Sequence, residues 1–229
     1  DEAGALNNNQ ALMPLTSYDT GGYSNTDHSG NYGSVWTDFD RDGDIDLYIA
    51  KCRQFVNDPQ DPRRVNQLWV NDGEGNYTEE ASERGLVFFE QSWTADFADI
   101  DNDGDFDCLV TNHSATLLLL ENDGTGNFTD ITAGSGLEVT GFFLQAKLED
   151  FDNDGFVDLV YSGGAHAYFK NNGDQTFSNV PGMFPYGDTM HSFATGDVNR
   201  DGQVDLYASY GNGYVSADNG NDYVLWINN

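Results

Sequence analysis

Asp38-Phe39-Asp40-Arg41-Asp42-Gly43-Asp44-Ile45-Asp46 is the stretch on which the fold turns. Its pattern, Asp-x-Asp/Asn-x-Asp-Gly-x-apolar-Asp, returns at 99–107, 150–158 and 197–205. Carboxylates set this closely repel one another. A hard divalent cation removes that penalty, and Ca²⁺ accepts roughly six to eight oxygen ligands. Positions 1, 3, 5, 7 and 9 are the expected ligands. They are Asp38, Asp40, Asp42, Asp44 and Asp46 in the first loop, and Asp99, Asp101, Asp103, Asp105 and Asp107 in the second. In the third they are Asp150, Asp152, Asp154, Phe156 and Asp158, and in the fourth Asp197, Asn199, Asp201, Gln203 and Asp205. The varied side chains at position 7 fit a backbone carbonyl ligand. Glycine at position 6 permits the positive φ of a sharp reversal. Position 8 (Ile45, Phe106, Val157, Val204) is expected to enter a core. About four Ca²⁺ are predicted, the fourth held most weakly because Asn199 offers a neutral amide oxygen.

An EF-hand starts the same way but needs a bidentate Glu at position 12 and flanking helices. Position 12 is Ile49, Val110, Tyr161 and Ala208, within short runs of branched and aromatic residues. Those runs read as strands, so each loop is a turn between two strands. The residues before each loop (34–37, 92–95, 144–147, 191–194) read as the innermost strands. Only 79–84 suggests a turn of helix.

The loops begin at 38, 99, 150 and 197, a period near 50 that implies a propeller, solenoid or array. An apolar strand followed by an Asn- and Gly-rich turn recurs at 66–78, 117–129 and 167–178, and begins again at 223–229. Such turns between apolar runs signal hairpins. Each repeat therefore reads as a four-stranded antiparallel blade. The predicted fold is all-β, a β-propeller in one domain over 1–229, with units at 7–86, 87–137, 138–184 and 185–229 plus 1–6. Segments 7–33 and 53–65 break the period and read as long loops suited to ligand recognition.

Net charge is −30, from 39 acidic and 9 basic residues. Four Ca²⁺ would leave about −22, still unsuited to nucleic-acid backbones or anionic membranes. The longest strongly apolar run is 117–120, so no transmembrane segment is expected. Cys52 and Cys108 read as buried free thiols rather than a disulfide, and no Cys/His spacing suggests zinc. His166, Tyr168 and Lys170 alternate along one strand face. They are the only local acid–base constellation, and a surface stripe is the expected explanation. Asn76, Asn112 and Asn127 head glycosylation-type triplets.

These loops and hairpins resemble the FG-GAP or VCBS type of repeat of integrin α-subunit propellers. With the Trp36-Thr37-Asp38 start and the Gly85-Leu86 and Gly136-Leu137 endings, they resemble more narrowly cartilage acidic protein and its bacterial relatives. The resemblance implies Ca²⁺ at the loop positions and usually seven blades, whereas four repeats are visible. A portion of a longer propeller is the expected explanation, with a compact four-bladed ring as the alternative. The expected function is a non-catalytic, Ca²⁺-stabilised extracellular scaffold or adhesion module. It would bind a protein or glycan ligand at the loop rim, or associate with itself. A lectin-like or polysaccharide-degrading propeller and a subunit of a surface filament are the alternatives.

Overall fold

A computed structural model of the chain describes residues 31–53, 55–61, 63–184, 189–211 and 223–228. The first antiparallel sheet runs in order β1 (Asn31–Thr37), β2 (Asp46–Lys51), β3 (Gln67–Asn71), β4 (Tyr77–Glu79). The second repeats it with β5 (Ser92–Ala98), β6 (Asp107–Asn112), β7 (Leu118–Asn122) and β8 (Phe128–Asp130). The third comprises β9 (Phe143–Glu149), β10 (Asp158–Gly163), β11 (Ala167–Asn171) and β12 (Phe177–Asn179). Among the described residues the fourth has three strands, β13 (Thr189–Gly196), β14 (Asp205–Gly211) and β15 (Tyr223–Trp226). A single pair, Gly163 with Met190, joins it to the third. Helix α1 (Ala81–Arg84) falls within 79–84 as expected and ends on Gly85 at φ 80°.

Each acidic loop joins the first two strands of its sheet. Strand pairing closes on Thr37–Asp46, Ala98–Asp107, Glu149–Asp158 and Gly196–Asp205, so position 9 is the first residue of the returning strand in all four. The second strands β2, β6 and β10 are buried at every position, because both their faces are covered. Their apolar centres, 47–50, 108–110 and 159–161, follow from that.

The first strands of successive sheets lie side by side, β1 against β5, β5 against β9 and β9 against β13. The approach is close: a Cβ on Gly33 would stand 2.7 Å from the Trp93 carbonyl oxygen. Farther out, Gly85 and Gly136 meet the next sheet. Their Cβ atoms would fall 2.4 Å from the Phe128 carbonyl oxygen and 2.2 Å from that of Phe177. Apolar clusters fill the space between sheets. One joins Phe39, Tyr48 and Leu68 to Cys108, Leu120 and Phe128, and another joins Ile100, Leu109 and Leu119 to Leu148, Leu159 and Phe177.

Two expectations need correction. Residues 31–33, assigned to a long loop, belong to β1, and the rest of that segment lies outside the described residues. Position 8 does not uniformly enter a core. Ile45 is 49 % exposed and Phe106 36 %, while Val157 and Val204 are half-buried. Position 2 takes that role instead: Phe39 and Ile100 are fully buried, and Phe151 nearly so. Val198, the fourth counterpart, is exposed. Cys52 and Cys108 are buried free thiols.

Candidate metal centre

Every loop is wound by the same backbone hydrogen bonds. The position 6 glycine donates its N–H to Oδ2 of the position 1 Asp, at 3.2 Å for Gly43–Asp38, 3.0 Å for Gly104–Asp99 and 2.9 Å for both Gly155–Asp150 and Gly202–Asp197. The residue at position 7 donates to Oδ1 at position 5. Positions 4 and 6 are both left-handed: Arg41, Asn102, Asn153 and Arg200 have φ of 61°, 63°, 58° and 65°. That double reversal turns alternate side chains inward. Carboxylate oxygens gather in three sets: Asp38, Asp40 and Asp42; Asp99, Asp101 and Asp107; Asp150, Asp152 and Asp158.

The remaining predicted ligands sit differently. Asp46, Asp103 and Asp154 belong to their loops but not to these sets. The position 7 side chains turn toward the hairpin. Asp44, Asp105 and Phe156 lie over Gly73, Gly124 and Gly173. In the fourth loop Asn199 Nδ2 donates to Asp201 Oδ2 at 2.8 Å, and Asp197, Asn199, Asp201, Gln203 and Asp205 form no acidic set.

Position 9 locks the loop to its sheet. Its Oδ1 accepts the backbone N–H of the hairpin asparagine, at 2.8 Å for Asp46–Asn71 and 2.9 Å for Asp107–Asn122, Asp158–Asn171 and Asp205–Asn228. In the last three loops its Oδ2 accepts the N–H of position 2. Burial pushes the Asp46 and Asp107 carboxyls up to about 7. Asp105 rises to about 6, through burial and then repulsion from Asp103 and Asp101. Withdrawal from water disfavours the charged form of all three.

The residues present fit a hard cation. Five buried carboxylate oxygens in the first two loops have no hydrogen-bond partner: Oδ1 of Asp38, Asp40, Asp99 and Asp105, and Oδ2 of Asp46. A buried unpaired carboxylate oxygen is expensive, and a divalent cation among all-oxygen donors satisfies several at once.

Two features escaped the reading of the sequence. The hairpin asparagines are braces between repeats: Asn122 Nδ2 reaches back to the Phe39 carbonyl at 3.0 Å, and Asn171 Nδ2 to that of Ile100 at 2.8 Å. The position 4 side chains link neighbouring loops: Asn102 Nδ2 donates to the Gly155 carbonyl at 2.9 Å, and Asn153 Nδ2 to Gln203 Oε1 at 2.7 Å. The recurrent Asn was visible, but its partner lies 83 residues away for Asn122 and 71 for Asn171, beyond the reach of local spacing.

The expected surface stripe of His166, Tyr168 and Lys170 is also corrected. Tyr168 is buried, and its hydroxyl donates to Asp158 Oδ2 at 2.8 Å. Lys170 Nζ bonds Asp152 Oδ2, and Asp154 Oδ2 at 2.8 Å. The His166 ring sits against Phe184 and Tyr210. Tyr168 and Lys170 thus serve the acidic loop. Of the three glycosylation-type asparagines, Asn112 is buried and donates to the Thr116 carbonyl, so the fold closes that site.

A family model described as an FG-GAP-like repeat matches residues 38–110, 99–161 and 150–208, windows that contain all four loops. These matches support the repeat family but not the narrower resemblance to cartilage acidic protein. No curated protein matches the chain. Among solved structures it is similar to the V. cholerae biofilm matrix protein Bap1, with 14% identity and a TM-score of 0.46 over 91% of this chain and 40% of that one. It is also similar to the Photorhabdus luminescens Tc holotoxin pore, with 14% identity and a TM-score of 0.41 over 85% of this chain and 12% of that one. The chain thus spans well under half of either protein.

Proposed function

Because the chain belongs to the FG-GAP-like repeat family, we propose that it is a non-catalytic extracellular scaffold whose sheets are the blades of a Ca²⁺-stabilised propeller. The observation that carries this reading is the set of buried, partnerless Oδ1 atoms of Asp38, Asp40 and Asp99 within the gathered carboxylates of the first two loops. Asp38, Asp40 and Asp42 would hold one ion, Asp99, Asp101 and Asp107 a second, and Asp150, Asp152 and Asp158 a third. The Asp197–Asp205 loop would hold a fourth more weakly. Bound Ca²⁺ supplies charge neutralisation and a fixed point between the first two strands of each blade. Binding to the folded state alone turns cation concentration into stability. Extracellular Ca²⁺ near millimolar saturates even weak sites of this kind.

The propeller arrangement rests on the side-by-side order of β1, β5, β9 and β13. Recognition of a protein or glycan would fall to segment 53–65, where Phe55 is 93 % exposed. Arg64 donates to the Val56 carbonyl within that segment and to the Phe89 carbonyl outside it. Calorimetric titration of chelator-stripped protein with CaCl₂, paired with thermal melts, tests the reading. Saturable binding and a rise in Tm are expected. A melt unchanged by Ca²⁺ and chelator alike would refute it.

A further inference from the structure

We propose that Lys170 is a tethered counter-ion that occupies the acidic pole of the third loop and lowers its affinity for Ca²⁺ relative to the second. The inference rests on the calcium reading above. The hairpin asparagines Asn71, Asn122, Asn171 and Asn228 fix the correspondence, since each donates its backbone N–H to the closing Asp of its own loop. The preceding residue is Val70, Glu121, Lys170 and Ile227 in turn. Only the third repeat places a cation there.

That ammonium bonds both Asp152 Oδ2 and Asp154 Oδ2. Asp152 is one of the three carboxylates gathered in the third loop. The contrast with the other loops is direct. Asp152 and Asp154 are exposed, so Lys170 meets them at the surface of the loop, whereas the first two loops keep five buried carboxylate oxygens without a partner. In the second loop the corresponding Glu121 adds negative charge, and Gln175 Nε2 spans Glu121 Oε1 at 2.6 Å and Asp101 Oδ2 at 2.8 Å. A neutral amide leaves that loop's charge in place, while an ammonium cancels part of it.

Lys170 can yield its place. Its side chain is 38% exposed, and with Asp152 it borders an open cleft of about 500 Å³ between the third and fourth sheets. An arriving divalent cation therefore exchanges with the ammonium rather than filling an unneutralised loop. The third loop stays folded at low Ca²⁺, and the second depends on the ion.

The test compares wild type with Lys170→Met, Lys170→Arg and Asp152→Ala by CaCl₂ calorimetry and by urea unfolding in chelator and in millimolar Ca²⁺. Lys170→Met should tighten one site by about two- to fivefold and leave the others unchanged. It should also be less stable than wild type in chelator and at least as stable in Ca²⁺. That reversal of sign is not expected of a side chain that merely packs. Lys170→Arg should keep the weak site, and in an Asp152→Ala background, where only the Asp154 contact remains, Lys170→Met should tighten binding less than it does in wild type. Saturable binding with Lys170→Met unchanged or weakened would overturn this inference alone. No binding by wild type or any variant would overturn the calcium reading and this inference with it.

Discussion

Replacing Asn122 with Ala tests whether the hairpin asparagines hold neighbouring repeats together. Asn122 is 2 % exposed and its side chain makes four hydrogen bonds. Nδ2 donates to the Phe39 carbonyl of the preceding loop at 3.0 Å and to the Phe106 carbonyl at 3.1 Å. Oδ1 accepts from Gly126 N at 2.9 Å and Gly124 N at 3.2 Å. Alanine keeps the backbone bond to Asp107 but strands the two carbonyls and the buried Gly126 N–H. A net hydrogen bond is worth about 1 kcal/mol, and a stranded buried group costs about 1–3 kcal/mol. The expected loss is about 3–5 kcal/mol, among the larger single-residue effects. Asn71 supplies the control. Among the described residues its Nδ2 reaches only the Ile45 carbonyl, at 3.3 Å, and the Tyr77 hydroxyl, at 3.5 Å, both within its own repeat. Asn71→Ala should cost about 1 kcal/mol. Urea unfolding at saturating Ca²⁺, with m unchanged, reads the difference. Equal losses for the two variants would refute the inter-repeat brace.

Gly136→Ala would place a Cβ 2.2 Å from the Phe177 carbonyl oxygen at φ +83°, so a loss of about 3 kcal/mol or more is expected in denaturant titration. Gly134→Ala, at φ +88° with open space, should lose only about 1–2 kcal/mol. Asn102→Ala removes the link to the Gly155 carbonyl, so a loss of about 1 kcal/mol is expected in denaturant titration; an unchanged midpoint would contradict this. Asp107→Ala should destabilise far more than Asn199→Ala, because Asp107 is 2 % exposed and bonds two backbone N–H groups; similar melting temperatures would reverse that ranking. Lys51 is wholly buried, and burial pushes its pKa from 10.5 down to about 8. The unfolded chain therefore binds more protons between those values, and this group's contribution to stability rises with pH across that window. Wild type should gain up to about 3 kcal/mol on Lys51→Met between pH 7 and 10.5, and a flat difference would refute the assignment.

The sequence by itself determined the loops, the hairpins and their order. These are local objects: a reversal needs Gly43 or Gly104 at its own position, and a closing Asp stands eight residues from its opening partner. Repetition made each reading check the others. What it left open was direction. Ile45 and Phe39 are both apolar residues within one loop, and only the neighbouring sheet decides that Phe39 is buried against Phe128 while Ile45 faces outward. Asn122 and Asn171 read as turn formers until the preceding repeat brought carbonyls to their amides. Lys170 read as one residue of a strand face until the loop folded back beneath it. Local hydrogen bonding fixes the shape of a turn within nine residues. Which side of that turn is buried, and which charge it meets, depends on surfaces contributed by residues outside it, from the same repeat for Lys170 and from the neighbouring repeat for Phe39 and the asparagines.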